Sequence, residues 1–114
     1  MAGMGEAGER IAEGYLVKQG YRVLARNYAA NGGEIDLVVE RDGALVFVEV
    51  KLRTAPRRGE AIDAIDSRKV RRICRAALHY LHAHGALERR VRFDVVLVEP
   101  PDIRHIPGAF DYIK

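Results

Sequence analysis

Asp36, Glu49 and Lys51 are the residues whose types and spacing could do chemistry in this chain of 114 residues. They lie at the far ends of two apolar stretches joined at Asp42-Gly43, a dipeptide that favours a two-residue hairpin loop. Such a loop sets Arg41 opposite Ala44. Counting back along one strand and forward along the other then sets Asp36 opposite Glu49, and Glu34 opposite Lys51. Side chains alternate with period two, so all four share one face of the hairpin.

Directly opposed side chains have Cβ atoms roughly 4.5–5.5 Å apart, and like charges there are destabilising. At about 5 Å and an effective dielectric near 20, two carboxylates repel by roughly 3 kcal/mol. A bound divalent cation is the simplest compensation, with Lys51 beside it as a fixed positive group. The competing account is an exposed polar face balanced by a Glu34–Lys51 ion pair across the strands. The surroundings favour the cation. These charges end a strand, Leu45 to Val50, that is otherwise nearly continuously apolar, and such strands are normally buried on both faces.

A chain of this length is expected to make one domain, residues 1–114, with a real core. No apolar run approaches the roughly 18 residues of a membrane span, and the small, acidic start lacks the basic and apolar regions of a secretory signal. Cys74 is the only cysteine, which leaves no disulfide framework. Together these predict a cytoplasmic protein without a membrane partner. The net charge of +3 hides a segregation. Residues 1–50 carry 5 basic and 8 acidic side chains, residues 51–92 carry 12 and 4, and residues 93–114 carry 2 and 4. The basic block begins at Lys51, directly after the carboxylates, as an anionic polymer beside a cation site would require.

The elements that must position these groups follow from periodicity. From Glu6 the spacing is helical, with Ala7, Ile11 and Tyr15 in a stripe widened by Ala12 and Leu16, and Gly20 as the stop. Tyr21–Asn27 alternates as a first strand, Asn27–Gly33 reads as a loop, and the hairpin follows. Leu52–Gly59 reads as a basic loop containing Arg53, Arg57 and Arg58. Asp66 or Ser67 caps a helix to about His84, with Val70, Ile73, Ala77 and Leu81 as its buried seam. Arg68, Arg72, Arg75, His79 and His82 recur on another face. Most such stripes are solvated faces. Here Arg68, Lys69, Arg71 and Arg72 crowd the helix N-terminus, where the macrodipole disfavours cations, and the stripe has no acidic partners. Contact with nucleic acid through Arg68, Lys69, Arg72 and Arg75 accounts for both. His79, His82 and His84 lack a cysteine or acidic neighbour and read as surface histidines rather than zinc ligands. Arg90–Val98 forms a long strand with Phe93, Val95 and Leu97 on one face and Asp94 on the other. Residues 104–113 read as a short edge strand or turn, Pro107-Gly108 breaking any longer element.

The order αβββαβ, with Glu9, Asp36 and Glu49-Val50-Lys51, resembles the restriction-endonuclease-like core, an α/β fold with a central mixed sheet flanked by helices. Its loose signature is an acidic residue, a spacer, then (Asp/Glu)-x-Lys. More closely, the chain resembles the YraN-like family of small bacterial proteins. The matching blocks are Gly8-Glu9 with Tyr15-Leu16, Gly33–Leu37, Val46–Lys51, Arg92–Val96 and His105-Ile106. Two positions depart from the patterns: Ile35 stands where the superfamily often has proline, and Gly108 where the family more often has asparagine.

By similarity to Holliday-junction resolvases of that superfamily, the resemblance implies that Asp36 and Glu49 ligate Mg²⁺ or Mn²⁺ with the Val50 carbonyl, and that Glu9 completes the shell. Lys51 would position the attacking water or stabilise charge on the phosphate. The implied activity is metal-dependent hydrolysis of DNA phosphodiester bonds, on branched or single-stranded DNA, by a domain that would dimerise to reach two strands. A binding module that kept the fold without catalysis is the alternative. A partner-binding domain would leave the charge segregation unexplained.

Overall fold

Valine-rich strands between turn dipeptides assemble into one mixed sheet. In a computed structural model, residues 4–53 and 66–113 are described. The elements are α1 (Met4–Lys18), β1 (Arg22–Ala30), β2 (Gly33–Arg41), β3 (Ala44–Leu52), α2 (Ser67–Ala83), β4 (Arg90–Glu99) and β5 (Asp102–Phe110). Strands lie in the order β1-β2-β3-β4-β5, and only β3 and β4 run parallel. A parallel step needs a crossover, and α2 lies in it.

Each face of the sheet has its own core. Phe47, Leu45, Val38, Ile35 and Phe93 meet α2 through Val70, Ile73, Cys74, Ala77 and Tyr80. On the other face Leu37, Val39, Val46, Val48, Val96 and Val98 meet α1 through Ala12 and Leu16. This explains why β3 is apolar on both sides: Ala44 to Val48 are all buried.

Four expectations are corrected. The supposed loop over residues 27–33 is mostly strand: β1 continues to Ala30 and turns at Asn31-Gly32, both at positive φ, the same hairpin chemistry as Asp42-Gly43. In α1, Ala12 and Leu16 are the buried seam while Ile11 is 41% exposed, so the predicted stripe is rotated. In α2, Tyr80 takes the buried place given to Leu81, which is half-buried. Finally, β5 runs through Pro107-Gly108. The β4 register shifts between Phe93–Phe110 and Val95–Ile106, a bulge that absorbs the two residues and lets the edge strand resume. The remaining boundaries lie close to expectation, including the Asp66 cap, whose carboxylate accepts from Lys69 N at 2.8 Å.

Candidate active site

The Asp42-Gly43 turn sets Arg41 opposite Ala44 and carries the ladder to Leu37–Val48, as the two-residue loop requires. There the regular pairing ends. The Val50 amide donates instead to Asp36 Oδ2 at 2.8 Å. On the other side, β1 pairs Arg26 with Leu37 and Tyr28 with Ile35, but Asn27 between them takes a left-handed backbone at φ 49°. Ile35 and Leu37, two apart, consequently pack into opposite cores. Asp36 thus sits at a local opening of the sheet, its carboxylate accepting where a strand carbonyl ordinarily would. Simple alternation did not anticipate this opening.

Glu49 is 5% exposed, and its Oε2 lies 3.1 Å from Lys69 Nζ on α2. Burial raises its pKa to about 7, and the charge of Asp36 adds to the rise while Lys69 opposes it. Asp36, Glu49, Glu34, Gly33, Lys69 and Arg72 line a cleft of about 440 Å³ between β2, β3 and α2. Its narrowness has a backbone cause. A Cβ on Gly33 would lie 1.8 Å from the Arg72 carbonyl oxygen, so only glycine admits the helix this close.

Glu9 comes from α1 on the other face, where a Cβ at Gly8 would meet Leu52 Cβ at 3.1 Å. It reaches Asp36, and burial with that neighbouring acid raises its pKa to about 7, against a hydrogen bond from Asn27. However, Glu9 lines a separate hollow with Glu13, Arg26, Asn27 and Leu37. Glu13 itself is held by Arg26 at 2.6 Å, which ties α1 to β1. Among the described residues, no three Asp, Glu, His or Cys side chains are grouped to hold an ion.

Lys51 is half-buried. Burial lowers its pKa, Glu49 counteracts this, and Lys69 and Arg53 push it further down. Arg53 is half-buried too, with Nε lacking a hydrogen-bond partner among the described residues. Arg68, Arg72 and Arg75 are exposed along α2, and Arg75 Nε reaches the Asn31 carbonyl at 3.3 Å. Arg57 and Arg58 lie outside the described residues.

The pair Asp36 and Glu49 fits a hard cation: both offer carboxylate oxygen, and burial together with the charge of Asp36 opposes the ionisation of Glu49 until positive charge arrives. Mg²⁺ keeps several waters, so two carboxylates suffice as protein ligands.

A second buried acid escaped the sequence reading. Asp94, fully buried on β4, accepts two bonds from Arg92 at 2.8 Å, one from His105 at 2.7 Å and one from Gly108 N at 3.0 Å. Arg92 also donates to Tyr21 Oη, and the rings of Tyr15 and Tyr21 meet His105 edge-on. The signal was present, since Asp94 interrupts the apolar run Phe93–Val98 just as Glu49 interrupts its own.

Strand order and helices define an α/β protein with a five-stranded mixed sheet between two helices. Hjc, a Holliday junction resolvase from the archaeal hyperthermophile Archaeoglobus fulgidus, superposes with a TM-score of 0.57 over 91% of this chain and 77% of its own, at 20% identity. Residues 8–98 match the Uncharacterised protein family UPF0102, the YraN-like family, and the chain belongs to it. A UPF0102 protein of Myxococcus xanthus is 44% identical over 111 residues, covering 94% of this chain and 88% of the relative. One from Symbiobacterium thermophilum is 48% identical over 102 residues, covering 89% and 86%. Among the described residues, no helix is long and apolar enough to cross a membrane.

Proposed function

We propose that this chain is a metal-dependent nuclease that hydrolyses DNA phosphodiester bonds, with branched or single-stranded DNA as its substrate class. The observation that carries the reading is Glu49: a carboxyl buried beside Asp36, raised to about 7, in a cleft whose far wall carries Lys69 and Arg72. A structural hairpin has no use for such a pair, whereas phosphodiester hydrolysis does. The fold shared with a Holliday junction resolvase supports the same reading.

In this scheme Asp36, Glu49 and the Val50 carbonyl would hold Mg²⁺ or Mn²⁺, and Glu9 buttresses Asp36 from behind. The bound ion would acidify a water and neutralise charge on the phosphate. Lys51, two residues beyond Glu49 on the same strand face, steadies the attacking water or the phosphate oxygen. Arg53, Arg57, Arg58, Arg68, Lys69, Arg72 and Arg75 track the sugar-phosphate backbone, a contact that orients the DNA without reading its sequence. The protein would act in the cytoplasm as one domain, and as a homodimer where two strands are engaged.

A nuclease panel of single-stranded, duplex, flap and four-way DNA, with Mg²⁺ or Mn²⁺ against EDTA, tests this directly. Metal-dependent cleavage of at least one substrate is expected, and Lys51→Ala should abolish it with little change in affinity. Cleavage by Lys51→Ala at the wild-type rate would overturn the assignment. Binding without cleavage on every substrate would leave a nucleic-acid-binding module.

A further inference from the structure

Resting on the cation site just proposed, we infer that Lys69 is that site's resident counter-cation, which an incoming divalent ion must displace from Glu49. The sequence placed Lys69 in a row of phosphate contacts on the surface of α2. Its ammonium instead lies 3.1 Å from Glu49 Oε2, on a carboxylate only 5% exposed. The helix that delivers it is fixed at two points. The Asp66 carboxylate holds the Lys69 amide at 2.8 Å, and the Arg72 carbonyl sits against Gly33. Its backbone therefore has a set place at the cleft, while the side chain, 42% exposed, keeps a route to solvent.

Charge and side-chain type both make this pairing a displaceable one. Three carboxylates, Glu34, Asp36 and Glu49, line the cleft against Lys69 and Arg72, so it keeps an excess of negative charge that a doubly charged ion satisfies better. Lysine is a point charge on a flexible stem, whereas arginine's planar fork would grip a carboxylate bidentately and be harder to dislodge. The site is thus neither empty nor organised for metal in its resting state. It holds a monovalent placeholder. Once displaced, the ammonium remains available in the cleft that Arg72 also lines.

Calorimetric titration of the full chain with MnCl₂ alone, without DNA, tests the exchange. Removing the competitor in Lys69→Met should tighten Mn²⁺ binding about two- to fivefold, the worth of one partly exposed ion pair. Lys69→Gln, neutral and hydrogen-bonding, should reproduce the gain, and Lys69→Arg should bind no more tightly than the wild type. Thermal melts without metal establish that each variant is folded. Unchanged or weaker binding in both neutral variants overturns the inference. Glu49→Gln separates the two levels of the argument. If it abolishes binding while the Lys69 variants match the wild type, the cation site stands and the placeholder falls. Equal binding by the wild type and Glu49→Gln removes the cation site, and the role of Lys69 with it.

Discussion

Glu49 and Asp94 are both carboxylates with almost no solvent contact, on the parallel neighbours β3 and β4, and their surroundings are opposite. Burial raises both, yet for Asp94 the bonds from Arg92, His105 and the Gly108 amide outweigh it and hold the pKa below the ordinary value. Glu49 has one ammonium and a second acid, and is raised to about 7. A buried charge whose acceptors are all filled fastens a structure together. One left short of positive charge is held ready for something that brings it. The two acids lie one register step apart on neighbouring strands, Asp94 beside Val48 and Glu49 beside Val95, one fully bonded and the other short of positive charge.

The largest effect expected on that contrast is at the fastening. Asp94→Ala strands Arg92 and His105 against a buried gap, and removing one partner of a buried pair costs about 3–5 kcal/mol. Chemical denaturation measures it. A loss under about 1 kcal/mol would show that Asp94 is not structural and would dissolve the contrast.

Next is the dependence of stability on pH in the metal-free protein. Glu49 and Glu9 have folded pKa values near 7, above their ordinary 4.5, so the folded chain binds protons more readily than the unfolded chain. Stability should consequently fall as pH rises from about 5 through 7. Asp94, held low, works in the opposite direction, but only in more acidic solution, below its ordinary 3.8. Glu49→Gln should flatten the decline and melt no lower than the wild type at pH 8. Steeper loss of stability in Glu49→Gln at high pH would mean that Glu49 is a satisfied structural acid like Asp94.

Smallest is the effect of Arg72→Ala with Arg75→Ala on folding, expected within about 0.5 kcal/mol since both are exposed. Their effect belongs on DNA affinity, whose logarithmic dependence on salt should flatten by up to roughly two units. Unaltered affinity would make the stripe a solvated face.

Much of this was legible in local chemistry. Asp42-Gly43 fixed a register that the structure keeps as far as Leu37–Val48, and the Asp66 cap and α2 periodicity placed the basic helix. What escaped was tertiary. Asn31-Gly32 carried the same turn signal as Asp42-Gly43, but Tyr28-Ala29-Ala30 before it lacks the β-branched alternation that marks a strand. The opening of the sheet at Asp36 depends on Asn27, a strand away, and period two has no means of showing it. Helix periodicity put Lys69 on a charged surface, and only the packing of α2 on β2 turns its tip into the cleft. Glu9 lies beside Asp36 from α1 but lines a hollow apart from the cleft, a placement that helix periodicity alone does not give.

The meeting of Gly33 with the Arg72 carbonyl makes the cleft a vice with one immovable jaw. Its gap is set by main chain against main chain, so exchanges on the exposed face of α2 neither widen nor close it. Lysines and arginines on that helix can be swapped, lengthened or neutralised to suit a different strand geometry while the distance from helix to carboxylates stays constant. Changing the gap requires a substitution at position 33. A redesign of the cleft's charge should therefore work on the exposed face of α2 and leave that glycine alone.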